Sequence, residues 1–346
     1  MRKLIIWVVL ILCIVIPVNA LEFNAPTAPE EAQQYMPDDT ESFSDGVFYI
    51  IKTAISAAKP SFSKVSGICV RLIVTILLLK ILSSISNEES TAVRLAGAVV
   101  IGILLLDPIN SMVQLSTKSV TEMTEYGKLL LPVMTAAMAA QGGATTSAAL
   151  YTATVVFSTF LTTVIVRLIV PALYIFLCVC VADSALNQEM LGKIRNFLKW
   201  AMTWSLKIIL YVFTGYMGIT GVISGTVDSS ALKAAKLTIS GVVPIIGNVL
   251  SDTSETILVS AGIMKNAAGV YGILTIIAIF IGPFLEIGIQ YLMLKLSGAI
   301  CNMIGNKHST ALVDQFTTGM GIVLAMAGTV CVLLLVSLVC FMKGMS

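Results

Sequence analysis

Residues 242–269 read VVPIIGNVLSDTSETILVSAGIMKNAAG, placing Asp252, Glu255, Lys265 and Asn266 inside an otherwise lipid-like sequence. An ionisable group in hydrocarbon costs about 2.5–3.5 kcal/mol on insertion scales, so such a group faces protein or water. Pro244, Gly247 and the hydroxyls of Ser251, Thr253 and Ser254 suit a broken or re-entrant helix better than a straight span. The stretch therefore predicts an all-α polytopic membrane protein whose irregular backbone lines a polar site.

Composition supports that class. Hydrophobic residues make up 57% of the 346-residue chain and charged residues 12%, about half the roughly 25% usual in soluble domains. The net charge is +2 and no basic–aromatic patch occurs, which excludes a nucleic-acid partner and leaves the lipid bilayer. The seven cysteines sit in apolar surroundings, and Cys178-Val-Cys180 has the wrong spacing for a redox or zinc pair, so they read as small hydrophobes.

Catalytic signatures are missing. His308 is the single histidine, so no HExxH zinc site exists. Gly221-Val-Ile-Ser224-Gly225 is only a loose serine elbow at the end of a span. Asp107, Asp183 and Asp252 lack the context of an aspartyl pair, and no phosphate-binding loop is present. The reading is a non-enzyme with no catalytic residue, cofactor or metal.

Along the chain, residues 1–20 read as a secretory signal: Arg2 and Lys3, an apolar Leu4–Ile16 core, and a cut after Ala20. Residues 21–64 form an acidic, proline-spaced extracytoplasmic segment that starts extended and ends in a short amphipathic helix over 43–59. Residues 65–127 hold the first two transmembrane helices. The 145–186 run suits either two tightly joined spans or a re-entrant leg plus one long helix kinked at Pro171. Six to eight spans are expected, each needing about 20 residues. The 113–128 stretch reads as a loop of mixed charge, and Lys193, Arg195 and Lys199 place the 187–200 loop in the cytoplasm, opposite the mature N-terminus.

An internal repeat is expected over 128–228 and 229–346. Pro132 matches Pro244 and Pro171 matches Pro283 at one common offset, and all four are expected helix breaks. The same offset maps Asp183 onto Lys295, so that the two either form a partly buried ion pair joining the halves or each end a span at water without meeting. Asp252 and Glu255 share a helix face with Lys265 roughly beside them. With Asn266 they either line a pocket for a cation, proton or polar solute or cap a helix in a protein-lined crevice. Glu286, one turn after Pro283, is a further pocket candidate.

ProIleIleGly (244–247), LeuSerAspThrSerGluThr (250–256), MetLysAsnAlaAlaGly (264–269), Gly282-Pro283 and Leu294-Lys295-Leu296 resemble the stage III sporulation protein AE family of endospore-forming bacteria. LeuLeuLeuAspPro (104–108), LeuLeuProValMetThrAlaAlaMetAla (130–139) and AspSerAlaLeuAsn (183–187) extend the resemblance over nearly the whole chain. The resemblance implies a multi-pass protein of the mother-cell membrane surrounding the forespore. Its implied partners are the other subunits of the same sporulation operon and a forespore-side channel protein, in the feeding tube that sustains the forespore. A secondary transporter-like permease and a membrane scaffold for ring-forming partners are the alternative readings.

Overall fold

The computed structural model of the chain describes residues 26–37, 43–85, 91–140, 144–219, 267–304 and 307–344, and every regular element among them is helical. A single turn, α1 (Glu30–Gln33), precedes α2 (Phe43–Ile85) and α3 (Thr91–Ala140). Next come α4 (Ala144–Val164), a π-helical segment (Ile165–Ile169), α5 (Val170–Leu186), α6 (Glu189–Ile219), α7 (Ala267–Ile304) and α8 (Lys307–Gly344).

Helix α8 is the axis of the bundle. Its sequence from Gly319 to Met342 is apolar on nearly every side, and a helix without a polar face is stable only in an interior. Every residue of that stretch is buried, walled by α3, α7, α4, α5 and α6. Small residues and hydroxyls bring the walls close. A Cβ added at Gly127 would lie 2.9 Å from Leu334 Cδ2, and one at Gly272 only 2.5 Å from Leu130 Cδ2. Ser116 Oγ donates to the Val323 carbonyl at 2.9 Å, and Thr154 Oγ1 donates to Ser337 Oγ at 2.9 Å.

Successive courses run in opposite directions between two ends, so α3 and the axial α8 lie parallel. At one end Arg94 Nε donates to the Ala185 carbonyl at 2.9 Å, and Ser184 Oγ to the His308 carbonyl at 3.1 Å. Asn187, at φ 53°, terminates α5 there; its N–H donates to the Asp183 carbonyl at 2.8 Å, a left-handed cap that asparagine tolerates. At the other end Gly269 faces Met342 and Gly272 faces Leu130.

Five helical stretches among the described residues are long and apolar enough to cross a membrane: Phe43–Ile85, Thr91–Ala139, Ser147–Leu186, Gly269–Met303 and His308–Lys343. The described residues thus do not confirm the expected six to eight, and residues 220–266, with Pro244, lie outside them.

Several expected boundaries are absent. The 43–59 amphipathic helix is the first part of α2, which continues to Ile85. The 113–128 stretch is not a loop but the middle of α3. Lys118 and Glu122, 3.9 Å apart as an i,i+4 pair, show why: charges at helical spacing support a helix they were taken to interrupt. Lys193, Arg195 and Lys199 sit on the first turns of α6, so the loop shrinks to Asn187–Gln188. His308 likewise belongs to the first turn of α8 rather than to a loop.

The prolines do not break their helices. Pro132 lies inside α3 and Pro283 inside α7. Losing one backbone hydrogen bond costs about 3 kcal/mol in an isolated helix, which long packed helices absorb by re-satisfying the freed group. At Pro171 the 145–186 run stays one helical course, and the irregularity is the π segment just before it. There the Val170 N–H reaches back to the Ile165 carbonyl, the kind of local adjustment that carries a helix past a proline.

Candidate functional site

The described part of the expected site is Glu286, at mid-length of α7 and three residues after Pro283. It is half-buried, as are Pro283, Phe284 and Leu285 beside it, while Gly282 and Ile287 are buried. Asp252, Glu255, Lys265 and Asn266 lie outside the described residues, the last two directly before Ala267, where α7 begins.

What faces this part of α7 is the N-terminal segment 26–37. The Pro29 carbonyl accepts the N–H groups of Ala32 and Gln33 at 2.9 and 3.0 Å, closing α1 into one turn. Gln33 Nε2 donates to the Ala28 carbonyl at 2.9 Å and draws the preceding residues in. The turn presents small side chains: Ala28 and Ala32 are 4% and 1% exposed, seated between α3 and α7.

Two tyrosines, one from each wall, hold that backbone. Tyr126 Oη on α3 donates to the Pro26 carbonyl at 3.4 Å, while the Ala28 N–H donates to Tyr271 Oη on α7 at 3.4 Å. Glu31 pairs with Lys118 of α3. Thr275 Oγ1 lies 4.0 Å from Met36 Sδ.

Tyr35 completes the site. Its hydroxyl rests on the backbone of Gly282, where an added Cβ would come within 2.8 Å of Oη and 3.1 Å of the ring. Gly282 is required for this approach, one turn before Glu286. Burial, then the charges of Glu286 and Glu31, hold the Tyr35 phenol above its ordinary value near 10. Carboxylates, phenols and one lysine thus surround a peptide segment at mid-bundle. They can exchange ion pairs and hydrogen bonds with a peptide, a cation or a proton; among the described residues no group of three or more His, Cys, Asp or Glu is gathered to hold a metal.

The structure does not join Asp183 to Lys295. Asp183 pairs with Arg195 on the next helix, both largely buried, and Lys295 Nζ lies 5.8 Å from the centre of the Tyr291 ring. The tight Asn187–Gln188 connection explains the choice: it folds the start of α6 back onto the end of α5, so the nearer cation wins. Sequence reasoning missed Tyr35, Lys118, Tyr126 and Tyr271. The Gly282-Pro283 doublet was the available signal, since a glycine inside an apolar helix marks a close approach.

Comparison with known proteins gives the same direction throughout. The family model for stage III sporulation protein AE matches residues 33–344. The stage III sporulation protein AE of Bacillus subtilis (strain 168) is 21% identical over 278 residues, covering 80% of this chain and 69% of that relative. No solved structure matches. With a family model spanning nearly its entire length, from the docked N-terminal segment to the end of the buried axial helix, this chain belongs to the stage III sporulation protein AE family.

Proposed function

We propose that this chain is a non-enzymatic integral component of the mother-cell-to-forespore channel, seated in the mother-cell membrane around the forespore. Its partners are other subunits of the same sporulation operon and a forespore-side channel protein. Family membership supports the sporulation role, and five apolar helical stretches support a multi-pass subunit. The observation that carries the reading is Glu286: a half-buried carboxylate at mid-bundle beside the phenol of Tyr35 and the backbone of Gly282. A carboxylate half-buried among apolar helices is costly unless a polar partner compensates it.

The test neutralises the polar residues and separates function from folding. Glu286→Gln, and Asp252→Asn with Glu255→Gln, are expected to lower heat-resistant spore counts while protein abundance and assembly with its operon partners stay normal. Wild-type spore counts from both variants would refute a polar pathway in this chain. Loss of complex assembly in step with loss of spores would instead favour a scaffold.

A further inference from the structure

The helices are too long for one bilayer. At 1.5 Å per residue α3 is about 75 Å long, α2 about 65 Å, and α7 and α8 about 57 Å each. The hydrocarbon core is about 30 Å thick, and a tilt of about 40° lengthens the path only to about 39 Å. The outward-facing residues show where the excess lies.

On α2 the outward positions toward its C-terminal end are mainly apolar, Val70, Val74, Leu78, Ile81, Leu82 and Ile85 with Arg71, Lys80 and Ser84 among them, whereas nearer its start Ser56, Lys59, Ser63 and Lys64 alternate with Ile55 and Phe62. Helix α3, running the opposite way, reverses the order. Leu95, Val99, Val100, Ile103 and Leu106 face outward first, followed by Asp107, Ser111, Gln114, Lys118, Glu125 and Lys128. Along the next course α4 is mixed, with Thr152, Val156, Thr159, Phe160 and Thr163 outward, whereas Leu168 in the π segment and Ile175 beyond it are apolar. On α7 the outward Leu292, Leu296 and Met303 lie toward the same end. Antiparallel helices agree on a single border, so it is a property of the bundle and not of one helix.

We infer that the bilayer contacts only the half of the bundle nearer Arg94, and that the other half stands in water on the side that holds the 26–37 segment. The lipid-facing length from Lys64 to Ile85 is about 32 Å, one hydrocarbon thickness. Arg71 and Lys80, both outward, lie toward opposite borders of this zone, where their heads can snorkel. Lys193, exposed on the first turns of α6, lies toward its far border, and Trp200, Trp204, Ile208, Tyr211 and Val212 follow outward along that helix into the zone. Segment 26–37, paired through Glu31 with Lys118, sits at the near border. The projecting half carries Phe48, Tyr49, Ile51, Ile55, Phe62, Leu129, Val156 and Phe160 outward, interspersed with Asp45, Lys52, Lys59, Lys64, Glu125 and Lys128, a surface of mixed polarity. Its uncharged stretches on α7 and α8 are enclosed by protein.

Single cysteines in the full chain, in a Cys178→Ser background that removes the one native thiol exposed among the described residues, test the border with a water-soluble maleimide in nanodiscs. Ser56→Cys, Lys128→Cys and Thr152→Cys are expected to label as fast as in detergent. Val74→Cys, Val99→Cys and Leu292→Cys are expected to label only after the lipid is removed. Protection of the first set equal to that of the second would overturn the inference, and so would equal labelling of both. Hydroxyl-radical footprinting of the unsubstituted chain reads the same partition without any cysteine: Tyr49, Phe62 and Phe160 oxidised, Leu82, Val99 and Leu292 protected. Protection of Tyr49, Phe62 and Phe160 would equally overturn it.

Discussion

Replacing Gly282 by alanine sets two effects of opposite sign against each other. In α7 the change favours the helix by about 1 kcal/mol, the propensity difference between alanine and glycine. At the surface of α7 it pushes a methyl to 2.8 Å from Tyr35 Oη and 3.1 Å from its ring, an overlap that costs about 1–3 kcal/mol if nothing moves. The lighter partner yields. Segment 26–37 is held by two hydrogen bonds at 3.4 Å, an ion pair more than half exposed, and the burial of two alanines; α7 is held along its whole length. The expected result is release of the segment with no loss of bundle stability. Hydrogen exchange of residues 26–37 in nanodiscs should rise to that of an unprotected peptide, while the thermal midpoint of the bundle stays level or increases. In a Tyr35→Ala background the phenol that clashes is gone, so Gly282→Ala should keep its helix-propensity gain and no longer change exchange at 26–37. Unchanged exchange at 26–37 in Gly282→Ala would refute the docking geometry; a lowered midpoint would refute the claim that the segment is the weaker element.

Two further outcomes follow from the charges. Asp183→Arg and Arg195→Asp should each destabilise the chain, by about 3–5 kcal/mol at most for breaking a buried pair, and their combination should recover much of the loss, whereas Asp183→Lys with Lys295→Asp should recover none; thermal unfolding of the four variants decides it. Because the Tyr35 phenol is held above its ordinary value, its contribution to docking is fully present below pH about 10 and is lost as the pH rises through the raised value; limited proteolysis within 26–37, referred to a free peptide of that sequence at the same pH, should therefore quicken at alkaline pH in the wild type and not in Tyr35→Phe.

The family resemblance was legible because it rests on short strings such as Gly282-Pro283 and AspSerAlaLeuAsn (183–187), and the family model matches residues 33–344. Helical class was legible for a different reason: runs of apolar residues long enough to cross a bilayer admit few other structures. Element boundaries were not. Charged residues at 113–128 and 187–200 looked like loops because a membrane reading assigns every charge to a membrane surface. In the structure the same residues are helical, and their position along the bundle decides whether they meet lipid or water.

The sequence by itself determined the class, the absence of catalytic signatures and the apolar character of α8, since each depends only on which residues occur and at what spacing. Tertiary structure alone decided that Tyr35 meets Gly282, that Asp183 takes Arg195, and that α3 and α7 clasp the N-terminal segment. Such contacts join residues tens to hundreds of positions apart, and no local spacing encodes which of several available partners packing will bring within reach. Pro132, Pro171 and Pro283 make the same point from the backbone side. A proline's missing N–H is written in the sequence, but whether the helix breaks, bulges or continues there depends on what the surrounding helices offer in its place.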